Sequence, residues 1–70
     1  MMPLSFADAG EELVIRRVGG SPETKKHLED MGFTVGESVT LISQLGGNLI
    51  IRVKESRVAL SEELARRIMV

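Results

Sequence analysis

Glycine divides this chain into segments too short to be anything but the pieces of a small, tightly turned fold. Gly10, Gly19-Gly20, Gly32, Gly36 and Gly46-Gly47 cut it into runs that alternate between β-branched stretches and two helix-like ones. With 70 residues there is room for one domain, read here as residues 1–70. A chain of that size buries only about 60% of its unfolded surface, so its core has to be efficient. No cysteine is present to supply a disulfide or a thiolate metal site. Hydrophobic residues make up 43% of the chain, enough for a packed core.

The segments carry their own start and stop signals. Ser5 to Gly10 reads as one helical turn, capped by Ser5 and closed by Gly10. Glu12 to Val18 is rich in β-branched residues and reads as one strand, stopped by Gly19-Gly20. Ser21-Pro22 is a helix start, with Ser21 as cap and Pro22 where its missing N–H costs nothing. That helix is expected to reach Met31, with Leu28 and Met31 on one face, Gly32 as the left-handed stop and Phe33 folded back onto it. Met31 and Phe33 belong to the core or to the seam between helix and barrel. Thr34-Val35-Gly36 is a turn.

Glu37 to Gln44 then alternates, with Val39 and Leu41 on one face and Ser38 and Thr40 on the other. Gly46-Gly47 makes a hairpin loop. The return strand Leu49 to Val53 places Leu49, Ile51 and Val53 together. Lys54-Glu55-Ser56 turns the chain into a short strand, Arg57 to Leu60. Ser61 caps a last helix, with Glu62 and Glu63 in its first turn and Arg66 and Arg67 in its last, both suited to the helix dipole. The apolar end, Ile68-Met69-Val70, is expected to pair as a strand with Glu12 to Val18 and close a barrel. The predicted fold is mainly β: a small SH3-like barrel with a helix inserted after the first strand and a short C-terminal helix.

The charges nearly cancel, nine Lys and Arg against ten Asp and Glu. A nucleic-acid binder usually carries a basic surplus and stacks bases on aromatic side chains. Here the aromatics are Phe6 and Phe33 alone, so no nucleic-acid partner is expected. No apolar run approaches the roughly 20 residues that span a bilayer, and Met1 to Ser5 lacks the character of a signal peptide. A cytoplasmic protein is expected, reaching a membrane only through a partner.

Catalysis finds no footing. Ser5, Ser21, Ser38, Ser43, Ser56 and Ser61 sit mostly where caps and turns want them. One histidine on a charged helix is a poor general base, and no phosphate-binding Gly-x-x-x-x-Gly-Lys-Ser/Thr loop occurs. No cofactor is expected. Glu23, His27 and Asp30 can share one helix face and form the only conceivable metal site, but real sites need three or four converging ligands and an outer shell. The expectation is a solvated helix face and no metal.

The chain resembles the FeoA family, small cytosolic components of bacterial ferrous-iron uptake. The resemblance rests on Pro3-Leu4 with Gly10, on Ile15 and Val18, on Leu28-Glu29-Asp30-Met31-Gly32-Phe33 with Gly36, and on Val58-Ala59-Leu60 leading to Ala65, Ile68 and Val70. Two departures stand out: Gly47-Asn48-Leu49 where the family often has a proline, and Ser61 where it often has an arginine. Similar domains occur at the C-terminus of metal-dependent repressors. The resemblance implies a non-enzymatic accessory role beside the large membrane ferrous-iron permease with its cytosolic GTPase part, and a weak homo-oligomer is compatible with it. A metal-responsive domain and a nucleic-acid-binding barrel are the alternatives.

A partner needs a surface. Leu45 stands in the glycine loop where a polar residue is expected, either tucked under the barrel or exposed as an anchor. The loop Leu45-Gly46-Gly47-Asn48 is therefore the first candidate contact. Arg16 and Arg17 adjoin in a strand and point to opposite faces. Arg16 and Arg52 are the next candidates, and Arg16, Arg17, Arg52 or Arg57 could also reach a nucleotide site in the partner as an arginine finger, against the plainer reading of a charged outer face.

Overall fold

The computed structural model describes all residues, Met1–Val70. A 3-10 turn at Leu4–Phe6 leads to β1 (Glu12–Val14) and β2 (Arg17–Val18), then α1 (Pro22–Asp30). Three longer strands follow, β3 (Ser38–Leu45), β4 (Asn48–Val53) and β5 (Ser56–Ser61), then α2 (Glu62–Ala65) and β6 (Ile68–Met69). The strands form an antiparallel sheet in the order β1-β3-β4-β5 and a two-stranded ribbon of β2 and β6.

The core explains the pattern. Val39 and Leu41 of β3, Leu49, Ile51 and Val53 of β4 and Leu60 of β5 turn inward onto Leu4, Ile15, Leu28, Phe33 and Ile68. Every buried side chain is apolar. The mainly β architecture expected from the sequence is the one observed, with the helix inserted after the first strand region and a short helix near the C-terminus.

The inserted helix begins and ends as its sequence dictates. Thr24 N–H donates to Ser21 Oγ at 3.1 Å, and Pro22 opens the first turn. At the other end Gly32 has φ +104°. Phe33 N–H bonds Leu28 O at 3.0 Å and Gly32 N–H bonds Glu29 O at 2.9 Å. This double closure is a Schellman motif, and it drives the Phe33 ring into the core.

Several expectations need correction. The single strand Glu12 to Val18 is two strands in different sheets. Ile15 N–H bonds Glu37 O at 2.9 Å, whereas Arg16 N–H bonds Met69 O at 2.8 Å, so the chain changes partner between adjacent residues. Periodicity cannot reveal such a crossing, because the buried Ile15 at the corner looks like any strand residue. Consequently Ile68–Met69 pairs with Arg17–Val18 only, as Arg17↔Met69 and Val18↔Ile68.

The terminal strand also holds the N-terminus, which the sequence reading left unpaired. Met2 and Val70 exchange reciprocal backbone bonds of 2.9 and 2.8 Å, and Pro3 bridges Met69. Ser5 lies inside the first turn and does not cap it; Pro3 takes the N-cap position and Ser5 Oγ has no hydrogen-bond partner. Ser61 does cap α2, accepting from Leu64 N–H at 3.2 Å. That helix ends at Ala65, leaving Arg66 as its C-cap and Arg67 beyond it. Arg66 instead pairs back to Glu62 at 3.1 Å.

Candidate functional site

β3 does not alternate from end to end. Leu41 faces Ile51 and Ser43 faces Ile50, so Ile42 is an extra residue, a β-bulge. Its consequence is a change of parity. Val39 and Leu41 point inward, and unbroken alternation would send Leu45 inward with them. The bulge turns Ser43 and Leu45 to the outer face instead, where they flank Ile50 and Asn48 of β4. Leu45 is 77% exposed as a result.

The loop beyond Leu45 is a two-residue hairpin, Gly46-Gly47, between the paired residues Leu45 and Asn48. Gly46 has φ +61° and Gly47 does not share the left-handed region. A positive φ at the first loop position alone fits a II′ turn, whose twist matches the strands it joins. A Cβ at either glycine would meet nothing within 4 Å.

Arg52 lies on the same outer face. The cross-strand row that contains it runs Glu12, Thr40, Arg52, Arg57 over β1, β3, β4 and β5. The next rows toward the loop are Ser43, Ile50, Ala59 and then Leu45, Asn48, Ser61. Asn48 and Arg52 are four residues apart on one strand, about 13 Å. The structure thus brings Leu45, Asn48 and Arg52 onto one surface. Arg16 is exposed but lies elsewhere, at the crossing from β1 to β2.

Arg57 and Ala59 complete that surface. Arg52 and Arg57 are exposed and directly opposed across β4 and β5. The chain's ion pairs are Lys26 Nζ–Asp30 Oδ2 at 3.2 Å and Arg66 Nη2–Glu62 Oε1 at 3.1 Å, so neither of these arginines is neutralised within the chain. The pairing of Arg52 with Arg57 follows from the two-residue Lys54-Glu55 loop, which sets the register of β4 against β5.

Around α1, His27, Glu23 and Asp30 are exposed, and Asp30 is engaged by Lys26. No three His, Asp or Glu side chains converge in a metal-binding arrangement. The sequence reading missed Phe6, which is 71% exposed on the N-terminal turn. Only the neighbouring Leu4 of that turn is buried. A three-residue turn is too short to display the periodicity that would have shown which of the two faces out.

The FeoA domain profile matches residues 2–70. A relative from Methanocaldococcus jannaschii, named as a candidate Fe(2+) transport protein A, is 34% identical over 70 residues, the whole of this chain and 85% of its own length. Among solved structures, an iron uptake regulatory protein FeoA is 29% identical with a TM-score of 0.87, covering 96% of this chain and 91% of its own. FeoA of Stenotrophomonas maltophilia was crystallised with zinc and described as an SH3-domain protein and candidate ferrous-iron transport activating factor. It is 25% identical with a TM-score of 0.86, covering 99% of this chain and 88% of that one. Barrel, inserted helix and closing C-terminal strand are therefore shared along almost the whole length, and the chain belongs to the FeoA family.

Proposed function

We propose that this chain, read as one FeoA domain over residues 1–70, is a non-enzymatic accessory protein of ferrous-iron uptake. It acts in the cytoplasm by binding the GTPase part of the membrane iron permease and modulating it. The observation that carries the reading is the match to the FeoA domain over residues 2–70, joined by relatives whose names place them in Fe(2+) transport. The structure supports the binding half with an exposed apolar side chain, Leu45, held on the same outer sheet face as Arg52. Binding sites carried on a loop and braced by a scaffold are a common arrangement. No helix of the chain is long and apolar enough to cross a membrane, so this reading has it meet the permease from the water side.

The loop Leu45-Gly46-Gly47-Asn48 is the proposed contact, with Arg52 farther along the same face and Arg16 as a separate, second point. Leu45→Asp tests it. Because Leu45 is outside the core, the variant melts like the parent. Affinity for the purified cytosolic part of the permease falls by a hot-spot amount, about 2 kcal/mol or roughly 30-fold. Unchanged melting with unchanged affinity moves the contact to another face. Failure of the parent chain to bind the permease at all removes the proposed role.

A further inference from the structure

β5 is one edge of the four-stranded sheet and β1 the other. Which groups of β5 face outward is fixed by one hydrogen bond. Glu62 N–H bonds Gly47 O at 2.9 Å, flanking the pair Asn48↔Ser61. In an antiparallel ladder such a bond brackets a non-hydrogen-bonded pair, and the two kinds of pair alternate. Ile50↔Ala59 and Arg52↔Arg57 are therefore non-hydrogen-bonded as well. The N–H and C=O groups of Arg57 and Ala59 point away from β4, and no backbone bond outside the ladder uses them.

Edges of this kind are usually blunted by proline, by a bulge, by short length or by charged side chains. β5 has no proline, and its ladder with β4 is unbroken over six residue pairs. Its one charged residue, Arg57, faces Arg52 in a non-hydrogen-bonded pair, where cross-strand side chains come closest. Like charges in that relation are destabilising. The nearest carboxylate in the row is Glu12, two strands beyond Arg52. Two strand spacings are about 10 Å, longer than the roughly 8 Å screening length of physiological salt. A residue on a strand added outside β5 would lie one spacing, about 5 Å, from Arg57.

We propose that the free edge of β5 and the Arg52–Arg57 pair beside it form a docking surface for an extended acidic segment of a partner protein, which adds as a further strand to the sheet. The rows dictate its pattern. A carboxylate sits beside Arg57, a small apolar side chain two residues along sits beside Ala59 and Ile50, and a polar one follows beside Ser61. Backbone bonds supply the affinity and alternate side chains the selectivity, as in other strand additions. A second copy of this chain fits less well, because it would bring another Arg52–Arg57 pair to a face that already lacks counter-charge. This surface is defined by chemistry and not by the permease, so its test uses no permease and stands or falls apart from the accessory role.

The test is titration of the 15N-labelled full chain with a seven-residue peptide that has threonine at its odd positions and glutamate, alanine and serine in turn at its even ones, against the same peptide with lysine for glutamate. The glutamate peptide shifts the amide signals of Arg57 and Ala59 and slows their hydrogen exchange, while the lysine peptide leaves them unmoved. Charge reversal by Arg52→Glu with Arg57→Glu inverts the preference. Ala59→Pro removes an outward N–H, leaves the β4 ladder intact and abolishes binding with both arginines in place. Equal response to the two peptides, shifts confined to other elements, or no response up to millimolar peptide overturns the proposal. So does displacement by single-stranded RNA with a larger shift at the same residues, or a concentration-dependent dimer that protects β5 without peptide.

Discussion

Replacing Ile68 by alanine tests whether two residues of terminal strand hold the barrel shut. Ile68 is fully buried and its neighbour Met69 is only half-buried, although both sit in the same two-residue strand and pair with adjacent residues of β2. Truncating a buried isoleucine costs about 2–5 kcal/mol, because the lost burial is joined by the cavity left behind. The whole stability of a chain this long is about 4–10 kcal/mol. One side chain therefore carries a large share of it. At about 4–8 °C per kcal/mol for a domain of this size, the same 2–5 kcal/mol means that Ile68→Ala is expected to lower Tm by roughly 8–40 °C. Met69→Ala keeps the same backbone pairing and should cost less than about 1 kcal/mol. Thermal and urea unfolding followed by circular dichroism reads both. Deleting Ile68, Met69 and Val70 together also removes the reciprocal bonds between Met2 and Val70 and should destabilise at least as strongly. If the two alanine variants melted alike, or the deletion melted with the parent, closure by this segment would be wrong.

Other variants check other joints. Gly32→Val should cost at least about 1 kcal/mol in urea unfolding, since φ +104° strains any L side chain; Gly32→Ala should cost less, because a Cβ there meets Val53 Cγ2 at an ordinary 3.5 Å. Ser21→Ala and Ser61→Ala should each lose about 1 kcal/mol with the loss of a cap hydrogen bond. Leu45→Asp should leave Tm within about 3 °C of the parent, as expected of a surface substitution away from any packed or capped position.

What was legible in the sequence was local. Ser21, Pro22 and Gly32 announce both ends of α1 because capping is decided within a few residues. The alternation of Leu49, Ile51 and Val53 announces β4 because both neighbours bury the same face. What was not legible was pairing at a distance. Nothing within Glu12 to Val18 says that Val14 and Arg17 belong to different sheets, since that is set by Glu37 on one side and Met69 on the other. The pairing of Met2 and Pro3 with the C-terminal strand was hidden for the same reason. Of the candidate contact residues, Leu45, Asn48 and Arg52 fall on one face and Arg16 falls elsewhere. Ala59 could be added, and Arg57 set beside Arg52, only once the pairing of β4 with β5 was known.

The bulge at Ile42 shows why the two halves of β3 answer to different demands. Its first half, through Leu41, follows the core: Val39 and Leu41 occupy inward positions against Val53 and Ile51. Had the alternation continued, Leu45 would have been one more inward leucine at the end of the barrel, and the loop after it a plain polar turn. Leaving Ile42 out of the ladder reverses that assignment without breaking the pairing with β4, which resumes at Ser43↔Ile50 and runs to the loop. The core gives up one candidate side chain, and the outer face gains an exposed apolar one, held by a hydrogen-bonded hairpin. A bulge is a costly way to end a strand if the only requirement is a turn, because it leaves a residue out of the ladder. It is an economical way to move one side chain across a sheet while keeping the strand. That is the physical ground for placing the contact at Leu45. Parity makes this testable: deleting Ile42 brings Ser43 directly after Leu41 in the ladder, so Leu45 should stay opposite Asn48 on the outer face and remain exposed, with only the extra residue lost.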